Sequence, residues 1–255
     1  MKGKKVKREG ISVDLTGISD LLGLMKESWS GLYLHSANVA NLTLRICTFL
    51  SLNQVEQKTV IAGAFFHDVG KMFVRREIVE KPGMLTDEEW AELKKHPRRG
   101  ASIVAERGGD HALVEMIRYH HERWDGMGYE GLKGQQIPLY ARVIALADAL
   151  DAMTSRRPYR QPFVMYEALE ELYRCAGFQF DPELVSALTE EPFWQITTYR
   201  DPGRLEVQIN EEKKWLAQLV DSYTLSHPVV YAQSQWLDRL LVIFCKFKGY
   251  AVGRG

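Results

Sequence analysis

Helical periodicity is the feature of this 255-residue sequence that most restricts its fold. From about residue 13 to residue 190, apolar side chains recur at three- and four-residue spacings, without a convincing run of alternating apolar and polar residues. In the stretch LYLHSANVANLTLRICTFL, for example, Leu32, Val39 and Leu42 belong to one apolar helix face. The sequence therefore predicts an all-α fold, a helical bundle built around one main core.

Composition excludes several classes of partner. Lysine plus arginine and aspartate plus glutamate number 33 each, so the formal charge of zero gives no general attraction to DNA, RNA or an anionic membrane. The cysteines Cys47, Cys175 and Cys245 lack the paired spacing of a thiolate zinc site and fit a reducing compartment. No signal-type apolar segment follows the basic start, and the apolar residues 236–247 are fewer than the roughly 20 that cross a bilayer. We expect a soluble, cytoplasmic protein.

A histidine and an aspartate, His67 and Asp68, stand side by side in the stretch AFFHDVGKMF, in the last turn of a helix predicted from about Gln54. One interpretation is a hydrogen-bonded pair that ends the helix, with Gly70 as the stop signal. The other interpretation is a pair of adjacent metal ligands. That interpretation requires more ligands elsewhere in the chain.

Such candidates occur at the ends or on the buried faces of other predicted helices. Each alone has an ordinary explanation, as a satisfied core residue or as the complement of a helix dipole. Buried together, they would be costly without a shared partner. Imidazoles and carboxylates without thiolates suit iron, manganese, nickel or zinc, and a bridging carboxylate, here Asp68, favours two metals and phosphate ester hydrolysis. The candidates are His35, His96, His120, His121 and Asp148.

The rest of the chain offers one long loop and several less distinct elements. The glycine-rich stretch RWDGMGYEGLKGQQIP interrupts the helices for about 16 residues, a length typical of functional or disordered loops. Asp181 is predicted to cap a helix that begins at Pro182. Beyond residue 190, RLEVQIN is predicted as a short strand, and residues 211–225 and 232–247 as two helices.

Three motifs in this order, HDVGK, HHERWDGMGY and ALADALDAMTSRRPYR, closely resemble the HD-GYP branch of the HD phosphohydrolases over about residues 30 to 190. The resemblance implies an HD-domain helical bundle and a metal-dependent phosphodiesterase. Such an enzyme hydrolyses cyclic di-GMP to pGpG or GMP with a metal-activated hydroxide. The extent of the resemblance divides the chain into a tail and leading helix (1–29), the phosphohydrolase domain (30–190) and a mostly helical C-terminal extension (191–255). This extension either packs on the core or serves dimerisation or regulation.

The resemblance also assigns residues to the site. Asp68 is shared by both metals and takes part in catalysis, and Lys71 lies near the scissile phosphate, where its charge offsets charge that develops in the transition state. Iron or manganese is expected, with nickel or zinc as alternatives, and two metals rather than three because Gly31 stands where some members have a glutamate. The remaining ligands are His35, His67 and Asp148 for one metal and His96, His120 and His121 for the other; the implied substrate contacts are Tyr129, Asp151, Arg157 and Arg160.

The signature Gly-Tyr-Pro of this branch reads Gly128-Tyr129-Glu130 here. The loop therefore loses the fixed φ of proline and gains a negative charge, which puts its rigidity and its affinity for an anionic ligand in question. The expected partner is cyclic di-GMP or a related cyclic dinucleotide. A diguanylate cyclase that binds the loop from Asp125 to Glu130, and a homodimer, are further hypotheses. The alternative functions are hydrolysis of another nucleotide and a weakly active cyclic di-GMP receptor.

Overall fold

The computed structural model describes residues 18–155, 161–163, 165–190, 202–222 and 227–247. Within these ranges the chain forms no β-strand, only one isolated bridge between Ala176 and Phe180. The all-α prediction is therefore confirmed. The helices are α1 (Ser19–Ser28), α2 (Ser30–Phe49), α3 (Gln54–Phe66), α4 (Arg76–Val79), α5 (Asp87–Leu93), α6 (His96–Glu106), α7 (His111–Tyr119), α8 (Leu139–Thr154), α9 (Met165–Arg174), α10 (Pro182–Glu190), α11 (Pro202–Ser222) and α12 (Pro228–Phe247), with short 3-10 helices at Val69–Phe73 and Gly134–Gln136.

Polar side chains fix where several of these helices begin. Asn53 and Thr86 each accept hydrogen bonds from the first turn of the following helix, and a glutamate three residues on closes a capping box at both positions. Asp110 accepts from the backbone N–H of Leu113, and Asp181 accepts from the first turn of α10. The predicted cap at Asp181 is confirmed, and Thr86 and Asp110 cap α5 and α7 in the same way.

The core lies where α2, α3, α7 and α8 pack against one another. The largest fully buried side chains on these helices include Ile46, Leu113, Ile117, Ile144 and Leu150. This packing brings the C-terminal ends of α3 and α7 and the N-terminal end of α6 to the middle of α8. Polar side chains from five helices can therefore meet in one place.

The 3-10 helix Val69–Phe73 packs closely against α6. A Cβ added at Gly70 would lie 1.9 Å from the carbonyl oxygen of His96 and 2.7 Å from the backbone nitrogen of Gly100. Gly70 is also absent from the glycines with positive φ. Its role is close approach of two backbones, and α3 already ends at Phe66, so the interpretation of Gly70 as the stop signal of that helix is wrong.

The last two described helices form a hairpin whose second helix, α12, packs against α2. A buried polar network ties the hairpin to α2: the Arg45 guanidinium donates to the carboxylate of Glu212, at 2.5 Å, and Gln233 donates to Glu212 and accepts from Asn41. The predicted strand RLEVQIN is wrong, because these residues lie inside α11. Ile209 on α11 faces the core while Val207 is 54% exposed, so the two side chains do not share a buried strand face.

No helix within the described ranges is both long and apolar enough to cross a membrane. The predicted division at residues 29 and 190 stays a prediction.

Candidate metal centre

Three histidines of the site are held in the same way, each by a backbone carbonyl at the C-terminal end of a helix. The Nδ1 atoms of His67, His96 and His120 lie 2.6, 2.8 and 2.8 Å from the backbone carbonyl oxygen three residues earlier. Because a carbonyl oxygen only accepts, Nδ1 of each ring donates to it, which leaves Nε2 of each ring facing the centre of the site. All three side chains are buried. Helix ends therefore aim three imidazole rings at one point.

The carboxylate of Asp68 lies between two groups of histidines. Its Oδ1 atom is 3.0 Å from Nε2 of His96 and 3.8 Å from Nε2 of His120, and its Oδ2 atom is 3.4 Å from Nε2 of both His35 and His67. Each oxygen thus faces a different group. His121 completes the first group, and the ligand atoms within each group lie within 4.8 Å of one another.

Helix α8 contributes two aspartates to the side of the site formed by His35. Asp148 Oδ1 lies 3.3 Å from Nε2 of His35 and 3.9 Å from Nε2 of His67. Asp151 lies on the other side of the ring, where its Oδ2 accepts from Nδ1 of His35 at 2.7 Å. Asp151 is only 5% exposed. It therefore lies behind a candidate ligand, a different place from the substrate contact that the resemblance implies.

The spacing of Asp148 and Asp151 in the sequence is a signal that Asp151 contacts the back of the His35 ring. Asp148 and Asp151 are three residues apart on one helix, so they share a face, and one carboxylate can reach the front of an imidazole while the other reaches its back. The carboxylate behind His35 fixes the ring and raises its basicity, as is usual for histidines that bind metals.

Charge and burial shift the pKa values across the site. Burial alone would raise the pKa of Asp68, but the Lys71 ammonium and the His67 ring hold it well below its usual range. Burial would lower the pKa of His35, and hydrogen bonds to Asp148, Asp151 and Asp68 raise it well above its ordinary value. Burial and neighbouring imidazoles lower the pKa of His120 strongly. Asp68 is therefore ionised and His120 neutral near pH 7.

Two buried atoms at the centre of the site support a cation there. Nε2 of His67 and Oδ1 of Asp68 have no hydrogen-bond partner among the described residues. An unpaired lone pair and an unpaired carboxylate oxygen are costly to bury. Both are donor atoms for a divalent metal, and the set without thiolates suits iron, manganese, nickel or zinc. The residues present therefore fit a bound divalent metal.

Lys71 reaches into the same centre from the 3-10 helix. Its ammonium donates to Oδ2 of Asp68 at 2.5 Å, and the side chain is 21% exposed. The close contact between the backbones of Gly70 and α6 fixes the 3-10 helix that carries Lys71. A positive charge thus stands at the solvent-facing edge of the candidate ligands.

The loop that carries Glu130 is fixed by ion pairs. The Glu130 carboxylate accepts from Arg118 at 2.8 Å and from Arg98 at 2.7 Å, and these contacts lower its pKa against the effect of burial. The backbone N–H groups of Glu130 and Leu132 donate to the carboxylate of Glu122. The added charge at residue 130 is therefore neutralised by two arginines, and these contacts hold the loop where a proline is missing.

Tyr129 points towards the metal centre, with its ring centroid 4.8 Å from that of His121. Burial, together with the charges of Asp68 and Asp148, raises the pKa of Tyr129 to about 12, so the phenol stays neutral. Arg157 and Arg160 lie outside the described residues.

Two family models match the chain. The model described as HD domain matches residues 19–184, which is more than half of the sequence and includes every candidate ligand. A second model, described as Spo0E like sporulation regulatory protein, matches residues 205–246, a range that includes most of α11 and α12.

Curated relatives match more than half of the chain. The chain is 40% identical over 144 residues to the cyclic di-GMP phosphodiesterase response regulator RpfG of Xanthomonas campestris, which covers 54% of this chain and 38% of the relative. It is 38% identical over 157 residues to a cyclic di-GMP phosphodiesterase of Thermotoga maritima, covering 60% and 42%. It is 35% identical over 159 residues to the 3'3'-cGAMP-specific phosphodiesterase 2 of Vibrio cholerae, covering 61% and 30%. The chain spans less than half the length of these relatives.

Solved structures share the fold. The HDG"Y"P protein Bd1817 of Bdellovibrio bacteriovorus has a TM-score of 0.53 at 21% identity, covering 68% of this chain and 56% of that one. The cyclic GMP-AMP specific phosphodiesterase V-cGAP3 of Vibrio cholerae has a TM-score of 0.51 at 17% identity, covering 94% and 71%.

Proposed function

Because the chain belongs to the HD domain family, as the resemblance to its HD-GYP branch predicted, we propose that it is a metal-dependent phosphodiesterase acting on cyclic di-GMP. The products are linear pGpG or GMP. The observation that carries this proposal is the Asp68 carboxylate, whose two oxygens face two different groups of histidines. A carboxylate in this position suits a bridge between paired cations, and paired cations are typical of phosphoryl-transfer hydrolases.

The proposed ligand sets follow the two groups. Both sets include Asp68, and iron or manganese fits the donors best, with nickel or zinc as alternatives. When bound, two such cations supply charge that activates water and stabilises phosphate oxygens. Besides Asp68, one metal is held by His35, His67 and Asp148, and the other metal is held by His96, His120 and His121.

Protein side chains supply the rest of the chemistry. The Lys71 ammonium stands beside Asp68 and offsets negative charge as it develops on the phosphate. Tyr129, a neutral phenol beside His121, can donate a hydrogen bond to a ligand oxygen. Asp151 acts through His35 as a positioning residue, by holding the ring and its proton on Nδ1.

Cyclic GMP-AMP is the second candidate substrate. Three of the curated relatives are named 3'3'-cGAMP-specific phosphodiesterases, with identities of 34 to 36%. The two substrates share the phosphodiester ring and differ in one purine, so the metal centre alone does not discriminate between them. Base contacts outside the centre decide the choice.

Exposure of the side chains indicates which residue of the loop from Asp125 to Glu130 is available for the proposed contact with a diguanylate cyclase. The Glu130 carboxylate is occupied by two arginines, whereas Met127 is 77% exposed. Met127 is the side chain of this loop that a partner protein would meet first. A homodimer stays a hypothesis.

The test is hydrolysis by protein purified without oxygen and analysed for bound metal. Cyclic di-GMP, cyclic GMP-AMP and their products are separated by chromatography. Asp68→Ala removes the proposed bridge, and Asp110→Ala, which loses only a helix cap at the far end of α7, is the matched control. We expect hydrolysis by the wild type and the control and none by Asp68→Ala. A metal-loaded wild type that binds cyclic di-GMP and leaves it intact would identify a receptor instead.

A further inference from the structure

Helix α5 carries a tryptophan that the core does not use. Trp90 is 42% exposed, and no residue of α5 is buried. Its ring meets Tyr129 edge-on, with centroids 6.3 Å apart at an interplanar angle of 82°. A large aromatic side chain left at the surface beside a candidate active site suggests a surface that binds another molecule.

Trp90 is connected to the metal centre through a series of rings. Tyr129 lies between Trp90 and His121, at centroid distances of 6.3 and 4.8 Å. The loop that holds Tyr129 is fixed by the ion pairs of Glu130 and by Glu122. The series therefore leads from a candidate metal ligand to a partly exposed tryptophan ring, and protein contacts alone hold the middle ring of the series in place.

A positive charge accompanies the two rings. The Lys94 ammonium lies 5.5 Å from the centroid of Trp90 and 5.4 Å from that of Tyr129, and the side chain is exposed at the end of α5. The chain as a whole has no net charge, so attraction of an anion at this place depends on local cations such as Lys94. Aromatic faces with a nearby cation suit a molecule that combines a flat base with an anionic sugar phosphate.

We propose that Trp90, together with Tyr129 and Lys94, binds a purine base of the nucleotide substrate by stacking. The proposal rests on the proposed function, because that function places the phosphate at the metal centre. Trp90 supplies the aromatic face, Tyr129 closes the side towards His121, and Lys94 offsets the negative charge of the nucleotide. These residues are specificity determinants outside the metal ligands.

The test compares a ligand that has a purine base with one that has only the sugar phosphate. Binding of GMP and of ribose 5-phosphate, which has no base, is measured by titration calorimetry on the full chain loaded with Mn²⁺. For the wild type we expect GMP to bind about 5- to 100-fold more tightly, the range that stacking of one base gives. Trp90→Leu keeps an apolar side chain and should bring the two affinities close together, whereas Trp90→Phe should keep most of the preference.

Matched controls identify the residues involved. Tyr173→Ala removes another exposed aromatic side chain, on α9, and should leave the preference for GMP unchanged. Lys94→Gln should weaken GMP and ribose 5-phosphate by a similar factor, and Lys95→Gln should not. The proposal is overturned if the wild type shows no preference for GMP, or if Trp90→Leu keeps the full preference. An unchanged Lys94→Gln would remove Lys94 from the site.

Failure of the stacking site and failure of the proposed function give different results. The same preparations are assayed for cyclic di-GMP hydrolysis. A wild type that does not cleave the dinucleotide contradicts the proposed function, while the preference for GMP still decides whether Trp90 binds a base. Where hydrolysis occurs, Trp90→Leu should raise KM by about 5- to 100-fold and change kcat little, because stacking acts before the chemical step.

Discussion

Removing the charge of Asp151 should weaken metal binding although Asp151 is not itself a proposed ligand. Its Oδ2 accepts from Nδ1 of His35 at 2.7 Å, and its Oδ1 accepts from the hydroxyl of Ser155 at 2.7 Å. In Asp151→Asn the amide oxygen can keep the bond to His35, and the Ser155 hydroxyl can turn to accept from the amide nitrogen. The substitution therefore preserves both contacts and removes only the negative charge.

The size of the effect follows from what that charge does to His35. A carboxylate behind an imidazole makes the facing Nε2 a stronger base, and loss of such a partner typically costs about 10- to 100-fold in metal affinity. This corresponds to about 1.4 to 2.7 kcal/mol. We expect Asp151→Asn near the lower value and Asp151→Ala, which also frees the ring to rotate, near the upper one.

The assay is competition for Mn²⁺ against a chelator of known affinity at pH 8. Ser155→Ala is the matched control, because it removes the other hydrogen bond of Asp151 and leaves the contact with His35. We expect less than a threefold change for this control. Wild-type affinity in both Asp151 variants would refute the positioning role, and an equal loss in Ser155→Ala would show a general structural effect.

Three further predictions concern packing, the loop and pH. Gly70→Ala should unfold or strongly destabilise the protein, by more than about 3 kcal/mol in chemical denaturation, because the new Cβ would overlap the backbone of α6. As the control, the new Cβ in Gly23→Ala on α1 meets no atom within 4 Å, so this variant should be neutral or slightly stabilising. Glu130→Pro restores the family signature but removes the ion pairs of a largely buried carboxylate and a backbone N–H donor, so thermal denaturation should show no gain in stability. The metal-free protein should lose stability as pH falls from 6.5 to 5, because His120 and His121 have lowered pKa values, about 3 for His121, and the unfolded chain takes up protons first. The loss should be at most about 1.4 kcal/mol per pH unit for each of the two histidines. A denaturation midpoint that stays constant over this range would contradict the lowered pKa values.

Burial also lowers the pKa of His227, which adds to the loss of stability in the same pH window, whereas the shifts of His35 and Asp68 lie outside that window. The raised pKa of His35 contributes stability that is fully present below 6.5 and lost only as pH rises through its folded value. The lowered pKa of Asp68 contributes stability that is lost only below about 3.8. Neither group therefore opposes the predicted loss between pH 6.5 and 5.

The sequence predicted the parts of the site that depend on local signals. Helix periodicity placed the helix ends that carry His67 and His120, and the residue type at Asp181 identified a helix start. The residue types then indicated metal chemistry. These signals act within one or two helical turns, so they are readable without the tertiary structure.

Contacts between distant segments were not predicted, because spacing carries no information about them. The pairing of Glu130 with Arg118 and Arg98 joins the loop to two helices, and it offsets the negative charge that put the loop's rigidity and anion affinity in question. The close approach at Gly70 and the exposed face of Trp90 likewise depend on how helices pack. The strand predicted for RLEVQIN failed because helical packing outweighs the local β-preference of Val207 and Ile209.

The central claim is that Asp68 bridges two metal ions, and magnetic coupling tests it directly. Mn²⁺-loaded protein is analysed for metal content and by electron paramagnetic resonance, with Asp68→Asn as the comparison. We predict two Mn²⁺ per chain with the spectrum of an exchange-coupled pair in the wild type, and loss of the coupled spectrum in Asp68→Asn. One Mn²⁺ per chain, or two uncoupled ions in the wild type, would contradict the account.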